Sequence, residues 1–107
     1  MIKSFRDKDT EQLFARHFVR RFPPDLHKAA WRTLAQIDAA ERLEDLRIPP
    51  GNRLERLLGE RADQYSIRIN AQWRICFRWQ DGDAYAVEVT DYHELSGISY
   101  RASTGYD

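Results

Sequence analysis

The residues best suited to chemistry are arginines that recur in the second half of the sequence and a histidine that follows them. Arg68, Arg74 and Arg78 lie in segments where apolar and polar residues alternate, and the last such segment runs into Asp91-Tyr92-His93. A guanidinium is a planar, permanently charged fork that matches phosphate and carboxylate groups, whereas histidine exchanges protons near neutral pH. The arginines therefore favour a face that binds phosphates or carboxylates, and the histidine lies just beyond it.

Alternation predicts which side chains share a face of the sheet, because successive side chains of a strand point to opposite faces. The odd positions are aromatic or aliphatic and are predicted to line a buried face: Tyr65, Ile67, Ile69, Trp73, Ile75, Phe77, Trp79, Tyr85, Val87 and Val89. A common face requires three-residue loops at 70–72 and 81–83. A two-residue turn at Asp81-Gly82 would pair Arg78 with Tyr85 and mix the faces, so we favour the longer loop.

This register opposes arginines on the other, open face of the sheet. Arg68 falls directly opposite Arg74, Arg78 lies one pair further along, and Tyr92 extends onto the same face. Like charges that face each other across two strands are destabilising. Either Glu88 and acidic loop residues relieve the repulsion, or an anionic ligand does, and we favour the ligand.

The elements that carry these residues are predicted as a β-α-α-β-β-β-β series. A short strand at 2–5 precedes a helix that is capped by Asp9 or Thr10 and runs through His17, and a second helix starts near Pro24. Further strands are predicted at 53–57, 65–69, 73–79 and 84–90. Two helices before an antiparallel meander should cover one of its faces and give a two-layer α+β domain. The predicted core is Trp31, Leu34, Trp73, Ile75, Phe77, Val87 and Val89.

Length and composition restrict the class of protein. A chain of 107 residues is one domain, predicted here at 1–93, and the Ser-, Gly- and Thr-containing segment 94–107 is expected to be a flexible tail. No apolar run is long enough for a membrane span or a signal peptide. The single cysteine, Cys76, cannot form an internal disulfide and is expected to be a packed small hydrophobe. A cytoplasmic location is therefore expected.

The net charge is zero, but it is unevenly distributed along the chain. Residues 46–80 carry seven arginines and no lysine against three acidic residues, whereas residues 81–107 carry one basic residue and six acidic residues. A neutral total argues against indiscriminate binding to nucleic acid. The positive charge is concentrated in the middle strands, which is where the candidate anion site lies.

These residues, in this order of elements, resemble the HigB branch of the RelE/ParE toxin superfamily, a branch once called plasmid maintenance system killer proteins. The matching stretches are 1–5, 34–40, 49–55 (Pro-Pro-Gly-Asn-Arg-Leu-Glu), 65–70 (Tyr-Ser-Ile-Arg-Ile-Asn), 72–77 (Gln-Trp-Arg-Ile-Cys-Phe) and 91–93 (Asp-Tyr-His). Each stretch alone is a weak signal, but their order and spacing over residues 1–93 make the resemblance specific.

The resemblance implies a ribosome-dependent mRNA endonuclease that cuts in the ribosomal decoding site, in contact with 16S ribosomal RNA. In that chemistry a 2′-hydroxyl attacks the adjacent phosphate, and no metal or cofactor is used. A HigA-like helix-turn-helix antitoxin is the implied protein partner. Operator DNA would be contacted only through that antitoxin, and no membrane is involved.

The resemblance also implies roles for individual residues. Arg74 matches the mid-strand arginine that stabilises the transition-state phosphate. His93 is the candidate for proton transfer, Tyr92 would stack on a base or position the phosphate, and Asp91 would orient these groups or be structural. Relatives carry histidine or lysine in the strand before the long loop, where this chain has Arg53 and Glu55.

Four assignments rest on position. Glu55 is either the general base or a bystander beside Arg53, which is itself a candidate RNA contact. Arg68 and Arg78 are added as RNA contacts because their parity places them beside Arg74.

Two other functions remain open at this point. A ParE-like toxin on the same fold would inhibit a topoisomerase by binding, without RNase chemistry, and would not need Asp91-Tyr92-His93. A binding module could use the arginine face only to hold an acidic protein partner.

Overall fold

The computed structural model describes residues 1–93, so the predicted tail at 94–107 lies outside the described residues. Within 1–93, two α-helices, α1 (Lys8–Phe14) and α2 (Leu26–Ala39), precede the strands β1 (Glu55–Arg56), β2 (Tyr65–Arg68), β3 (Trp73–Gln80) and β4 (Asp83–Asp91). Short 3₁₀ helices lie at Leu43–Arg47, Pro50–Asn52 and Gly59–Arg61. The strands form one antiparallel sheet in the order β1-β2-β3-β4. The α+β class and the meander predicted from the sequence are confirmed.

Helix α1 begins earlier than predicted. Its N-cap is Asp7, whose Oδ1 accepts a hydrogen bond from the backbone N–H of Thr10 at 2.7 Å. Asp9 and Thr10, the predicted caps, both lie inside the helix. Thr10 is buried, and its Oγ1 accepts a hydrogen bond from the backbone N–H of Val89 at 3.0 Å. This hydroxyl therefore ties the helix to β4 instead of capping it.

Helix α1 also ends earlier than predicted, at Phe14 and not at His17. Arg16 has a φ of 69°, in the left-handed region that an α-helix of L-residues does not tolerate, so the helix cannot continue. The indole N–H of Trp31 in α2 donates to the carbonyl of Phe14 at 3.1 Å. That hydrogen bond satisfies one of the carbonyls left open where the helix stops.

Helix α2 buries one stripe of its surface against the sheet. Leu26, Ala30, Leu34 and Ile37 recur at intervals of three and four residues, and each is at most 2% exposed. The facing layer comes from β2, β3 and β4 and contains Ile67, Trp73, Ile75, Phe77, Val87 and Val89. The predicted core is therefore confirmed except for Trp31, which is only partly buried at its margin. Among residues 1–93, no helix combines the length and hydropathy that crossing a membrane requires.

The β3–β4 hairpin corrects the predicted register. A two-residue turn at Asp81 and Gly82, both with positive φ (52° and 82°), joins the strands, so that Arg78 pairs with Tyr85. This is the turn that the parity argument rejected. The faces are not mixed because a β-bulge lies between Cys76 and Arg78, where Ala86 has a φ of 52°.

The bulge inserts one extra residue into β4, so that parity differs on its two sides. Beyond the bulge, Val87 and Val89 lie on the core face as predicted. Before the bulge, Ala84 is the buried residue, and Tyr85, predicted to face the core, is half-buried opposite Arg78. The β2–β3 hairpin keeps the predicted three-residue loop, and Arg68 pairs with Arg74.

The N-terminal segment lies alongside β4 instead of forming a strand of its own. Ile2 and Phe5 make isolated parallel bridges to Ala84 and Val87. Between them, the Ser4 hydroxyl accepts a hydrogen bond from the backbone N–H of Ala86 at 2.8 Å. The segment thus contacts the edge of the sheet and holds the bulged residue in place.

The second face of the sheet is not fully open, contrary to the sequence expectation. β1 is shorter than predicted, and the chain beyond it places Leu57 on Cys76, with both side chains fully buried. Arg61 in the same connection pairs with Glu88 of β4 at 3.3 Å. Burial raises the pKa of the Cys76 thiol to about 12, so Cys76 is a packed hydrophobe, as predicted, and not a nucleophile.

Candidate active site

A cavity of about 410 Å³ lies where the β2–β3 loop meets the end of β4. Its lining consists of Arg53, Arg68, Asn70, Ala71, Arg74 and Tyr92. Four of these six were singled out from the sequence, so the fold brings half of the eight predicted site residues into one cavity. A larger groove of about 630 Å³ lies on the helical layer, and its lining contains none of the predicted site residues.

Arg74 is buried, which corrects the expectation that it stands on an open face. Its side chain is held from two sides: Nε donates to Ser66 Oγ at 3.0 Å, and Nη2 donates to the main-chain carbonyl of Arg53 at 3.0 Å. Nη2 also lies 3.6 Å from Glu55 Oε1. Only 3% of the residue is exposed, yet it lines the cavity. A fixed, desolvated guanidinium at a cavity wall acts more strongly on an anion than one in water.

Glu55 is placed beside Arg74 and outside the cavity lining. Its Oε1 is buried and accepts no hydrogen bond within residues 1–93. Glu55 pairs with Ser66 across β1 and β2, which puts its carboxylate on the same face as the serine hydroxyl. Glu55, and not Glu88, is therefore the acid that partly offsets the opposed arginines, because Glu88 pairs with Arg61 and Arg6.

Arg53 owes its position to the loop before β1. It follows the 3₁₀ helix Pro50–Asn52 in a left-handed conformation, with a φ of 47° and a ψ of 58°. The Asn52 amide anchors this loop by donating to Gln36 Oε1 at 3.0 Å and to the carbonyl of Leu46 at 3.1 Å. The Arg53 side chain is exposed, whereas its carbonyl is turned toward Arg74.

Arg68 forms the opposite wall. It pairs with Arg74 across β2 and β3 as predicted, and its Nε donates to the carbonyl of Asn70 at 3.1 Å. Asn70 Oδ1 accepts from the backbone N–H groups of Gln72 and Trp73 at 2.8 and 2.9 Å. These bonds close the loop, so the arginine is held by a rigid turn.

Arg78 lies outside the cavity. It is exposed, four residues beyond Arg74 on the same strand face, which is a separation of about 13 Å. Its nearest acid is Asp63, at 3.9 Å. The structure therefore brings Arg53, Arg68 and Arg74 together but leaves Arg78 apart.

The segment Asp91-Tyr92-His93 begins at the rim of the cavity. Asp91 Oδ1 accepts the backbone N–H of His93 at 2.8 Å and lies 3.1 Å from His93 Nδ1, while Oδ2 accepts from the Gln72 amide at 3.1 Å. The His93 backbone N–H and the Gln72 amide, in that order, hold the pKa of Asp91 below its usual value. Tyr92 lines the cavity, and its backbone N–H donates to the carbonyl of Gln72 at 2.6 Å.

His93 does not line the cavity. Its side chain is 83% exposed, and its ring stands nearly perpendicular to that of Tyr92, with the centroids 6.2 Å apart. A carboxylate at Nδ1 selects the tautomer with the proton on that nitrogen, or the charged ring, and fixes the ring plane. This geometry fits the orienting role predicted for Asp91.

Sequence reasoning missed the residues that hold the predicted ones. Ser66 could have been found from the alternation of the strands. The register that pairs Arg68 with Arg74 also places Ser66 diagonally next to Arg74 on the same face. Gln72 and Asn70 carry a weaker signal, as polar residues of a short loop beside the arginines.

Comparison with known proteins places this chain in a family. A model of the HigB-like toxins, described as RelE-like toxins of type II toxin–antitoxin system HigB, matches residues 3–93. A protein of Vibrio cholerae serotype O1 named Toxin HigB-1 is 45% identical over 87 residues, which cover 78% of this chain and 90% of that protein. A protein of Proteus vulgaris named Endoribonuclease HigB is 34% identical over 93 residues, which cover 87% of this chain and 100% of that protein.

The family match spans the sheet, the cavity and the Asp91-Tyr92-His93 segment. Neither the family nor the relatives' names support the ParE-like alternative. The chain therefore belongs to the HigB-like toxins, the RelE-like toxins of type II toxin–antitoxin systems.

Proposed function

We propose that this toxin is an endoribonuclease that cleaves mRNA on the ribosome without a metal or a cofactor. The observation that carries the proposal is the buried Arg74 guanidinium at the wall of a cavity that also contains Arg53, Arg68 and Tyr92. The name of the Proteus vulgaris relative, Endoribonuclease HigB, supports this class of activity. The 2′-hydroxyl that the reaction needs makes RNA the substrate, and not DNA.

In the proposed reaction the 2′-oxygen attacks the adjacent phosphorus, and the bond from phosphorus to the 5′-oxygen breaks. The products are a cyclic phosphate and a 5′-hydroxyl. The pentacovalent intermediate carries more negative charge than the phosphodiester. Arg74 is fixed before the substrate arrives and stabilises that charge without reorganising.

The remaining cavity residues bind the substrate. Arg68 and Arg53 flank the cavity and contact neighbouring phosphates. Tyr92 offers an aromatic ring on which a base stacks, a contact worth about 1–3 kcal/mol. Arg78 lies outside the cavity and contacts RNA at a distance from the scissile bond.

Two groups compete for proton transfer. His93 is exposed and oriented by Asp91, so it can accept the proton of the 2′-hydroxyl or donate one to the leaving 5′-oxygen. Glu55 lies 3.6 Å from Arg74 Nη2, so its carboxylate is engaged in an ion pair with the guanidinium. We assign proton transfer to His93 and treat Glu55 as a partner of Arg74.

The partners follow from the family. A type II toxin implies a protein antitoxin, and we propose that it is a HigA-like helix-turn-helix protein that alone contacts operator DNA. The ribosomal decoding site, with its 16S RNA, and the mRNA are the proposed targets.

Single-turnover cleavage of an mRNA on programmed ribosomes tests the proposal. The parent protein should cut the mRNA when ribosomes are present. It should keep its rate in magnesium-saturated EDTA, which removes transition metals such as zinc and manganese but leaves the magnesium that the ribosome requires. Arg74→Ala should cleave roughly 10²–10³-fold more slowly, the range seen when a transition-state donor is removed. Arg47→Ala, at an exposed arginine outside the cavity lining, is the matched control. A parent protein that cuts no RNA on ribosomes contradicts the proposal.

A further inference from the structure

We propose that Ser66, together with the main-chain carbonyl of Arg53, is a positioning element that aims the Arg74 guanidinium into the cavity. Its kinetic consequence rests on the proposed endoribonuclease function, whereas its structural consequence does not.

The first half of this element is the Ser66 hydroxyl. Ser66 is fully buried on β2, and its Oγ accepts from Arg74 Nε at 3.0 Å. The two residues lie on adjacent strands, with Ser66 opposite Cys76 and Arg74 opposite Arg68. A diagonal contact between antiparallel strands has a geometry that the register fixes. Nε is the guanidinium nitrogen nearest the main chain, so a hydrogen bond to it restricts the rotation of the whole guanidinium.

The second half is a backbone acceptor. The Arg53 carbonyl accepts from Arg74 Nη2 at 3.0 Å, at the far end of the same guanidinium. This carbonyl faces Arg74 because Arg53 has a left-handed backbone after an anchored 3₁₀ turn. Two acceptors on two atoms of a planar group fix its plane as well as its position, which a single bond does not.

The proposed cleavage reaction explains why a fixed orientation of the Arg74 guanidinium matters. Cations that stabilise a transition state are effective when they are already aimed at the place where charge develops. A misplacement of about 1 Å can cost roughly 100-fold in rate. Glu55 alone, at 3.6 Å from Nη2, attracts the guanidinium but does not set its plane. Ser66 is therefore required to orient the Arg74 guanidinium, whereas Glu55 contributes electrostatic attraction.

Two substitutions test the hydroxyl. Ser66→Ala removes the acceptor, and Ser66→Cys replaces it with a weak acceptor of similar size, in case the alanine variant does not fold. Each should lower kcat for cleavage on ribosomes roughly 10- to 100-fold while leaving KM near the parent value, because substrate binding also uses Arg53, Arg68 and Tyr92. Thr33→Val is the matched control, since it removes another partly buried hydroxyl, one on α2 that bonds the Ala29 carbonyl and lies outside the cavity lining, and it should cleave at the parent rate.

A double-variant cycle adds a second condition. In an Arg74→Ala background, Ser66→Ala should have no further effect on kcat, because the group it aims is gone. Additive losses would mean that Ser66 acts on something other than Arg74, which would overturn the proposal.

A third readout does not depend on activity. Nitrogen-15 NMR should detect a slowly exchanging Nε–H on Arg74 in the parent and faster exchange in both Ser66 variants, with the exposed Arg78 as the fast-exchanging reference. Exchange that is unchanged in both variants would overturn the positioning role, even if kcat falls. A parent protein that cleaves no RNA would instead defeat the proposed function, and the exchange rates would still decide whether Ser66 positions Arg74.

Discussion

At the scale of single residues, the site combines one buried cation with groups at its rim. Arg74 is enclosed by Ser66, Glu55 and the Arg53 carbonyl, whereas His93 stands in solvent with only its orientation controlled. Enclosure suits a group that must keep its charge and position. Exposure suits a group that must exchange a proton with the substrate and with water.

We expect His93→Ala to lose roughly 10²–10⁴-fold in the rate of cleavage on ribosomes, because a proton-transfer group contributes about that much. Glu55→Gln should lose less, because the amide oxygen keeps a weak contact with Arg74 and the side chain transfers no proton. Single-turnover kinetics of the two variants, with antitoxin binding as the folding control, make the comparison. The reverse order of rates would transfer the proton-transfer role from His93 to Glu55.

Asp91 predicts a pH dependence of stability. Its pKa is lowered in the folded protein, so its stabilising contribution is complete above the unfolded-state pKa of about 3.9 and is lost as the pH falls through the lower folded value. The difference in unfolding free energy between the parent and Asp91→Asn should be present at pH 7 and at pH 5 and should shrink below about pH 4. Urea melts across this range measure it, and an equal difference at pH 3 and pH 7 would contradict the assignment.

The site residues were predictable from the sequence to different degrees. Arg74 and Arg68 follow from parity, which a strand imposes directly. The burial of Arg74 could not be predicted from alternation. It depends on the two-residue strand β1 and on the direction of the Arg53 carbonyl, which the side-chain pattern does not encode. The grouping of Arg53 with the cavity depends in the same way on a left-handed residue that is not glycine.

At the scale of the elements, the β3–β4 hairpin shows how a bulge can compensate for a tight turn. Parity alone excludes the two-residue turn, and the sequence gives no glycine to mark the extra residue, because alanine occupies the bulge at Ala86. The N-terminal segment makes this conformation possible by offering the Ser4 hydroxyl to the Ala86 backbone N–H. Ser4 lies outside the four strands, so alternation within the strands cannot predict its hydrogen bond to Ala86.

Ala86→Gly should therefore stabilise the protein, or leave it unchanged. An L-residue in the left-handed region destabilises the folded state by about 1–2 kcal/mol, and glycine removes that strain. Glycine also loses more backbone entropy on folding, which destabilises the protein by roughly 0.5–1 kcal/mol. The expected change in unfolding free energy is about 0 to +1.5 kcal/mol. Ala84→Gly, at a fully buried position of the same strand, is the control and should destabilise the protein. Chemical denaturation decides, and a clear loss of stability in Ala86→Gly would show that the bulge conformation has been misassigned.

At the scale of the whole molecule, the arginine surplus of residues 46–80 is partly neutralised within the fold. Arg61 pairs with Glu88, and Arg74 pairs with Glu55. The sequence predicted correctly that positive charge gathers in the middle strands, but not which arginines remain available to a ligand. That partition depends on pairs that are distant in sequence, such as residues 61 and 88.

Arg68 and Arg78 should therefore differ in their effect on ribosome binding. Each phosphate contact to single-stranded RNA contributes about 0.7 to the slope of log affinity against log salt concentration. We expect Arg68→Ala, in the cavity, to weaken binding and reduce that slope by about 0.7, and Arg78→Ala, outside it, to reduce the slope less. Binding titrations at several salt concentrations provide the slopes. Equal slopes for both variants would mean that the whole strand face, and not the cavity, engages RNA.

The pairing of the N-terminal segment with β4 has a consequence for biosynthesis. Ile2 and Phe5 bond to residues 84 and 87, and the cavity needs Tyr92, so neither the closed sheet edge nor the site can form until almost all of the described chain has been synthesised. Partners so far apart in sequence also slow folding, because a long loop must close first. A ribosome that makes this toxin therefore carries an inactive nascent chain until the last strand has emerged and found the first residues.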